Sequence, residues 1–108
     1  MDPNKMLEKV LTDSDLCHGA KLYLPKKQIE KILSTIENFA MPPSGFQVEL
    51  LDNNKSYSVT IKKDSRRYYM CSGWTEIREA RNLKTGDKIR LYLQDTKFIF
   101  TFNYALSL

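Results

Sequence analysis

A chain of 108 residues is enough for one domain around a single core, and its 42% apolar and 28% charged residues fit a soluble globular protein. Nothing approaches the roughly 18 uninterrupted apolar residues of a membrane span. The start also lacks a basic-then-apolar signal, so an intracellular chain is expected. Two cysteines, Cys17 and Cys71, and one histidine, His18, are too few for a zinc set. A disulfide stays open, with reduced thiols expected in the absence of a signal peptide. The net charge of +4 is uneven: residues 55–90 carry +6, residues 1–54 carry −2, and residues 91–108 cancel. Such a basic stretch either faces a polyanion or simply solvates a surface.

Along the chain, Asp2-Pro3-Asn4 disfavours regular structure, and residues 1–6 read as a disordered start to a single domain over 7–108. Leu7 to Leu11 reads as a first strand, and Thr12-Asp13-Ser14-Asp15 as a turn whose side chains bond their own backbone. After a loop at 16–20, Lys21-Leu22-Tyr23-Leu24 alternates as a second strand with Leu22 and Leu24 inward. Pro25 suits the first position of a helix, where an N–H has no partner to lose. From there Ile29, Ile32, Leu33, Ile36 and Phe39 form an apolar stripe opposite Lys27, Glu30, Lys31, Ser34 and Glu37. Met41-Pro42-Pro43-Ser44-Gly45 ends that helix.

Phe46, Val48 and Leu50 alternate with Gln47 and Glu49 as a half-buried strand. Asp52-Asn53-Asn54-Lys55 supplies hairpin residues that tolerate positive φ, and Tyr57, Val59 and Ile61 return. The basic connection Lys62 to Arg67 leads into a tyrosine-rich fifth strand, Arg67 to Cys71. Trp74, Ile77, Ala80 or Arg81, and Leu83 trace a second short helix. In the tight turn Leu83-Lys84-Thr85-Gly86-Asp87, Gly86 takes a backbone shape costly for other residues. Ile89, Leu91 and Leu93 then face Phe98, Phe100 and Phe102 across a turn near Asp95-Thr96. Many short strands and only two helices imply a mainly β (α+β) fold with a closed or nearly closed barrel-like sheet.

Four of these motifs occur in a fixed order: Thr12-x-Ser14-Asp15, Leu22-x-Leu24-Pro25-Lys26, Gly73-Trp74, and Leu83-x-x-Gly86-Asp87. With these spacings the chain resembles the plant B3 DNA-binding domain over residues 7–103. The resemblance implies a seven-stranded open β-barrel, the B3 pseudobarrel, with two short helices. It also implies a nuclear, double-stranded-DNA reader in transcription regulation. Under it Ser14, Asp15, Pro25, Tyr57, Gly73, Trp74, Gly86 and Asp87 are structural hallmarks. Tyr57 stands where the family usually carries tryptophan. Trp74 reads as a buried anchor in preference to a base-stacking platform, because its indole buries a large area and needs one partner.

The family's DNA contact resembles a clasp whose two arms enter the major groove. The first arm maps to Ser14–Lys26, with Lys21 where the family places a cation. In the same arm His18 is either a contact or an idle loop residue, and Lys26 either meets a phosphate or is solvated. The second arm maps to Lys62-Lys63-Asp64-Ser65-Arg66-Arg67, four cations in six residues flanked by Tyr68 and Tyr69. Cations on a hairpin suit phosphate oxygens or guanine edges, and arginine reads the latter bidentately. A charged edge that blocks stray strand pairing would look the same. The Trp-Asn-Ser/Thr-type sequence of better-characterised branches does not occur here, so target preference does not carry over.

An enzyme is not expected: there is one histidine, no phosphate-binding glycine loop after a strand, and no nucleophile–base pairing. No cofactor, membrane or small-molecule substrate is implied, whereas other transcription regulators are conceivable partners. The alternative is a protein-interaction module on the same scaffold, motivated by the divergent second arm, the acidic first half and exposed tyrosines Tyr68, Tyr92 and Tyr104. A third reading is single-stranded nucleic acid stacked on aromatic rings.

Overall fold

The computed structural model describes residues 3–16 and 21–94 in full and 99–105 as backbone. Seven strands form one sheet: β1 (Met6–Val10), β2 (Leu22–Leu24), β3 (Phe46–Asp52), β4 (Lys55–Lys63), β5 (Tyr68–Cys71), β6 (Lys88–Gln94) and β7 (Ile99–Ala105). Their spatial order is β1-β6-β7-β3-β4-β5-β2, so the two shortest early strands lie at opposite ends of the sheet. The sheet wraps around a core that includes Leu7, Leu22, Leu50, Ile61, Met70 and Ile89, each at most 1% exposed. Burying each such side chain contributes about 1.5–3 kcal/mol. This is the open, mainly β barrel the sequence implies.

The hairpins follow local chemistry. Asn53 takes φ 55° between β3 and β4, whose register pairs Val48 with Val59 and Leu50 with Tyr57. Strands β6 and β7 pair Leu93 with Phe100 and Leu91 with Phe102. Phe98 and the turn at Asp95-Thr96 lie outside the described residues. Strand β7 also runs parallel to β3, Leu50 opposite Phe100, and only the intervening β4-to-β6 segment makes that return possible.

Three helices flank the sheet: α1 (Asp13–Leu16), α2 (Lys26–Ser34) and α3 (Trp74–Ala80). The expected turn at 12–15 is thus one helical turn. Within the start expected to be disordered (1–6), Pro3–Lys5 form a 3-10 turn and Met6 pairs with Tyr92. Pro25 is the cap of α2, not its first residue, because its ψ of 120° is still extended while its carbonyl accepts the Ile29 N–H. The apolar stripe to Phe39 outruns α2. The Ser34 and Thr35 hydroxyls donate to the Lys31 and Ile32 carbonyls, each at 2.6 Å, and Asn38 takes φ 58°. Ile36 and Phe39 nonetheless reach the core, Phe39 edge-on to Phe46 at 4.9 Å. Helix α3 stops before Leu83 because Asn82 turns left-handed at φ 51°.

Asp15 is the hub that closes the barrel where β1 and β2 lack a common ladder. One carboxylate oxygen accepts the Thr12 N–H and hydroxyl at 2.9 and 3.0 Å. The other accepts Lys9 Nζ at 2.9 Å and the Tyr23 N–H at 3.4 Å. Lys9, on β1, also donates to the Tyr23 carbonyl on β2, so one ammonium bridges the seam. The Asp15 carbonyl accepts the Trp74 indole N–H at 2.9 Å and an Arg78 N–H at 3.4 Å. Trp74 is wholly buried. Gly73, at φ 77°, sets it there: a Cβ would stand 2.9 Å from the Ser58 carbonyl oxygen.

A second buried carboxylate, Asp52, takes the Arg81 guanidinium in a forked pair that ties the end of α3 to the β3–β4 hairpin. Asp87 accepts the Lys84 N–H at 2.9 Å, and Gly86, at φ 95°, donates to the Leu11 carbonyl. The Leu11 N–H donates in turn to the Asp87 carbonyl, fastening this turn to the end of β1.

Candidate nucleic-acid interface

The sheet's alternation decides which cations share a face. Leu22 and Leu24 point inward on β2, so Tyr23 points out. On β5, Tyr68 and Met70 are buried and Tyr69 half-buried; on β4, Val59 and Ile61 are buried and Lys62 half-buried. The register places Tyr23 opposite Tyr69 and Tyr69 opposite Lys62, giving one outer row across three strands.

Exposed cations crown that row. Lys21 Nζ lies 4.6 Å from the Tyr69 ring centre, and the Arg67 guanidinium lies 4.3 Å from the Tyr23 ring centre. The two rings meet edge to face, 6.1 Å apart at 62°. Between β4 and β5, Asp64 shapes the tip: its N–H donates to the Arg67 carbonyl at 3.0 Å, and its carboxylate accepts the Arg67 N–H at 3.3 Å. Ser65 and Arg66 occupy the tip and are exposed.

Lys21, Lys62 and Arg67 therefore share one outer face, Lys21 and Arg67 at opposite ends of the Tyr23–Tyr69 pair, with Ser65 and Arg66 at the tip next to Arg67. Lys63 is not part of the row. It shares the inward parity of Ile61 beyond the end of the core, with Nζ 5.3 Å from the Tyr68 ring centre. Lys26 is exposed at the start of α2. His18 lies outside the described residues. Tyr68, taken as exposed from sequence, is buried at 7% exposure, and its hydroxyl donates to Glu30 at 3.1 Å. Burial, then the hydrogen bond and negative charge of Glu30, push its phenol above the ordinary value of 10.0. Tyr92 is half-buried, and the Tyr104 side chain lies outside the described residues.

Sequence reasoning named Tyr69 as a flank of the basic run but not as part of a shared face, and missed Tyr23. The signal was present: each sits between inward residues on a period of two, with a cation two residues before it, Lys21 or Arg67. Of the hallmark residues, Asp15, Trp74 and Asp87 are buried, Tyr57 is half-buried against the core, and Ser14 is exposed on α1. Among the described residues Cys71 is a free thiol, no three His, Cys, Asp or Glu gather as a metal site, and no helix is long and apolar enough to cross a membrane.

An open seven-stranded barrel that presents a basic hairpin beside its seam defines the class: a pseudobarrel domain with a cationic outer face. The family model of the B3 DNA binding domain matches residues 7–104. The chain belongs to that family. It is 48% identical over 101 residues to the B3 domain-containing protein At1g08985 of Arabidopsis thaliana, covering 94% of this chain and 99% of the relative. Among solved structures it resembles the Arabidopsis FUS3–DNA complex at TM-score 0.73 and 18% identity, over 94% of this chain and 96% of that one. It also resembles the Arabidopsis thaliana LEC2–DNA complex at TM-score 0.72 and 22% identity, over 96% and 97%. These two likenesses establish the fold.

Proposed function

We propose that the domain binds double-stranded DNA, its two arms entering the major groove, as part of a plant transcription factor acting in the nucleus. The observation that carries the reading is the outer face shared by β2, β5 and β4, on which Lys21 of the first arm and Arg67 of the second flank the Tyr23–Tyr69 pair and Lys62 lies opposite Tyr69. Membership in a family described as a DNA binding domain supports it, as do two similar folds solved as DNA complexes. By sequence His18 is assigned to the first arm, and Ser65 and Arg66 form the tip of the second. Lys26 and Lys63, off the row, contribute phosphate contacts at its flanks. The reading needs no catalysis, cofactor or small-molecule substrate, and leaves room for other transcription regulators as partners.

The test is recovery of randomised duplexes by the purified domain at two salt concentrations, followed by sequencing. One enriched motif is expected, with a log–log salt slope of about −4 to −5 from roughly four to six phosphate contacts. Alanine at Lys62, Arg66 and Arg67 together should abolish recovery while leaving the fold intact. Failure to recover any duplex at low salt overturns the proposal and favours protein interaction. Unchanged affinity in the triple variant removes the second arm from the site.

A further inference from the structure

The contacts on the outer row are crossed. The cation of the first arm, Lys21, rests on a ring of the second arm's strand, Tyr69. The cation beside the second arm's tip, Arg67, rests on a ring of the first arm's strand, Tyr23. The rings touch each other, Tyr23 edge to face with Tyr69. Neighbouring strands β2 and β5 hold the pair by backbone ladder, so the rings are anchored even though the cations are exposed. Among the described salt bridges neither Lys21 nor Arg67 takes part, and the nearest acidic side chain on the second arm, Asp64, bonds the Arg67 backbone.

We infer that Tyr23 and Tyr69 are positioning residues for DNA recognition, pre-setting Arg67 and Lys21 through crossed cation–π contacts that lock the two arms into one reading head. The inference rests on the DNA-binding reading above and assigns two residues to it that touch no nucleotide. Its chemistry is specific. A guanidinium lying over a ring uses its face, and its in-plane N–H donors stay free for the paired acceptors of a guanine edge or a phosphate. A long side chain so held loses less rotamer freedom on binding than a free one. A carboxylate partner would fix Arg67 equally well but would occupy the fork and cancel the charge that DNA attracts. A tyrosine ring does neither. Because each ring serves the other arm's cation, displacing one arm removes support from both.

Binding of a fluorescent duplex carrying the recovered motif tests this, with Tyr23→Leu, Tyr69→Leu, the double leucine variant, and Tyr23→Phe with Tyr69→Phe. Each single leucine is expected to weaken binding about two- to fivefold, and the double variant about tenfold, because exposed cation–π pairs are modest. The phenylalanine variant keeps both ring faces and should bind within twofold of the parent. The salt slope should be unchanged in the leucine variants, since no phosphate contact is deleted, whereas Arg67→Ala shortens it by about one unit. In the Tyr23→Leu background Arg67→Ala should cost less than in the parent. A folded double leucine variant that binds within twofold of the parent overturns the inference. So does phenylalanine failing to preserve affinity, or additive losses for Tyr23 and Arg67. If the unaltered domain binds no duplex, the DNA reading itself fails, a result distinct from either.

Discussion

Replacing Asp15 by alanine removes the acceptor for four donors at once: the Thr12 N–H and hydroxyl, Lys9 Nζ and the Tyr23 N–H. Lys9, only 14% exposed at its side chain, keeps its charge and its bond to the Tyr23 carbonyl but loses its counter-ion. Breaking a buried pair from one side costs about 3–5 kcal/mol, a large share of a small domain's total of about 5–15 kcal/mol. Urea unfolding followed by fluorescence measures it directly. Trp74 is the chain's one tryptophan, is wholly buried, and bonds the Asp15 carbonyl. At a slope of about 1.5 kcal/mol per molar urea, the midpoint should fall by about 2–3 M. The companion variants are Asp15→Asn, Lys9→Met and the two combined. Removing both charges strands neither, so the double variant should lose at least about 1–2 kcal/mol less than the two singles summed. A loss under about 1 kcal/mol for Asp15→Ala, or strict additivity in the pair, would refute the view of Asp15 as the closure of the seam.

Gly73→Ala forces a side chain onto φ 77° and sets its Cβ 2.9 Å from the Ser58 carbonyl oxygen. A loss of about 2–3 kcal/mol is expected from thermal unfolding, with a red-shifted Trp74 emission if the α3 start moves off β4. Arg81→Met strips the 6%-exposed Asp52 of its guanidinium and should cost about 2–4 kcal/mol in the same assay; adding Asp52→Asn should recover part of that. Tyr68 supplies a pH prediction. Its folded-state phenol is raised above 10.0, so its stabilisation is whole below the unfolded value and is lost as pH climbs through the folded one. Tyr68→Phe should therefore remove from an alkaline absorbance titration a step lying above 10.0; loss of a step at or below 10.0 would contradict the burial of this phenol and its bond to Glu30.

Much of the fold was legible because its signals are local. Alternation at Phe46, Val48 and Leu50, the Asn53 turn and the Gly86 turn are each set by neighbours a few residues away, and the structure keeps them. Helix ends were less legible, since the apolar stripe through Ile36 and Phe39 marks what reaches the core and not what stays helical. Of the interface, the basic run at 62–67 was visible as composition, but its division was not. Lys62 joins the outer row while Lys63, the next residue, turns toward Tyr68, because a strand sends consecutive side chains to opposite faces.

The sequence by itself determined the number of strands, the two longer helices, the hairpin turns and the family motifs, all of which depend on short-range periodicity and backbone preference. Tertiary structure alone decided the parallel return of β7 beside β3, the bridging of β1 to β2 by Lys9 and Asp15, and the crossed placement of Lys21 and Arg67 on Tyr69 and Tyr23. Those pairings join residues from 6 to 50 positions apart, and which of many possible partners meet is set by how the whole sheet closes on one core.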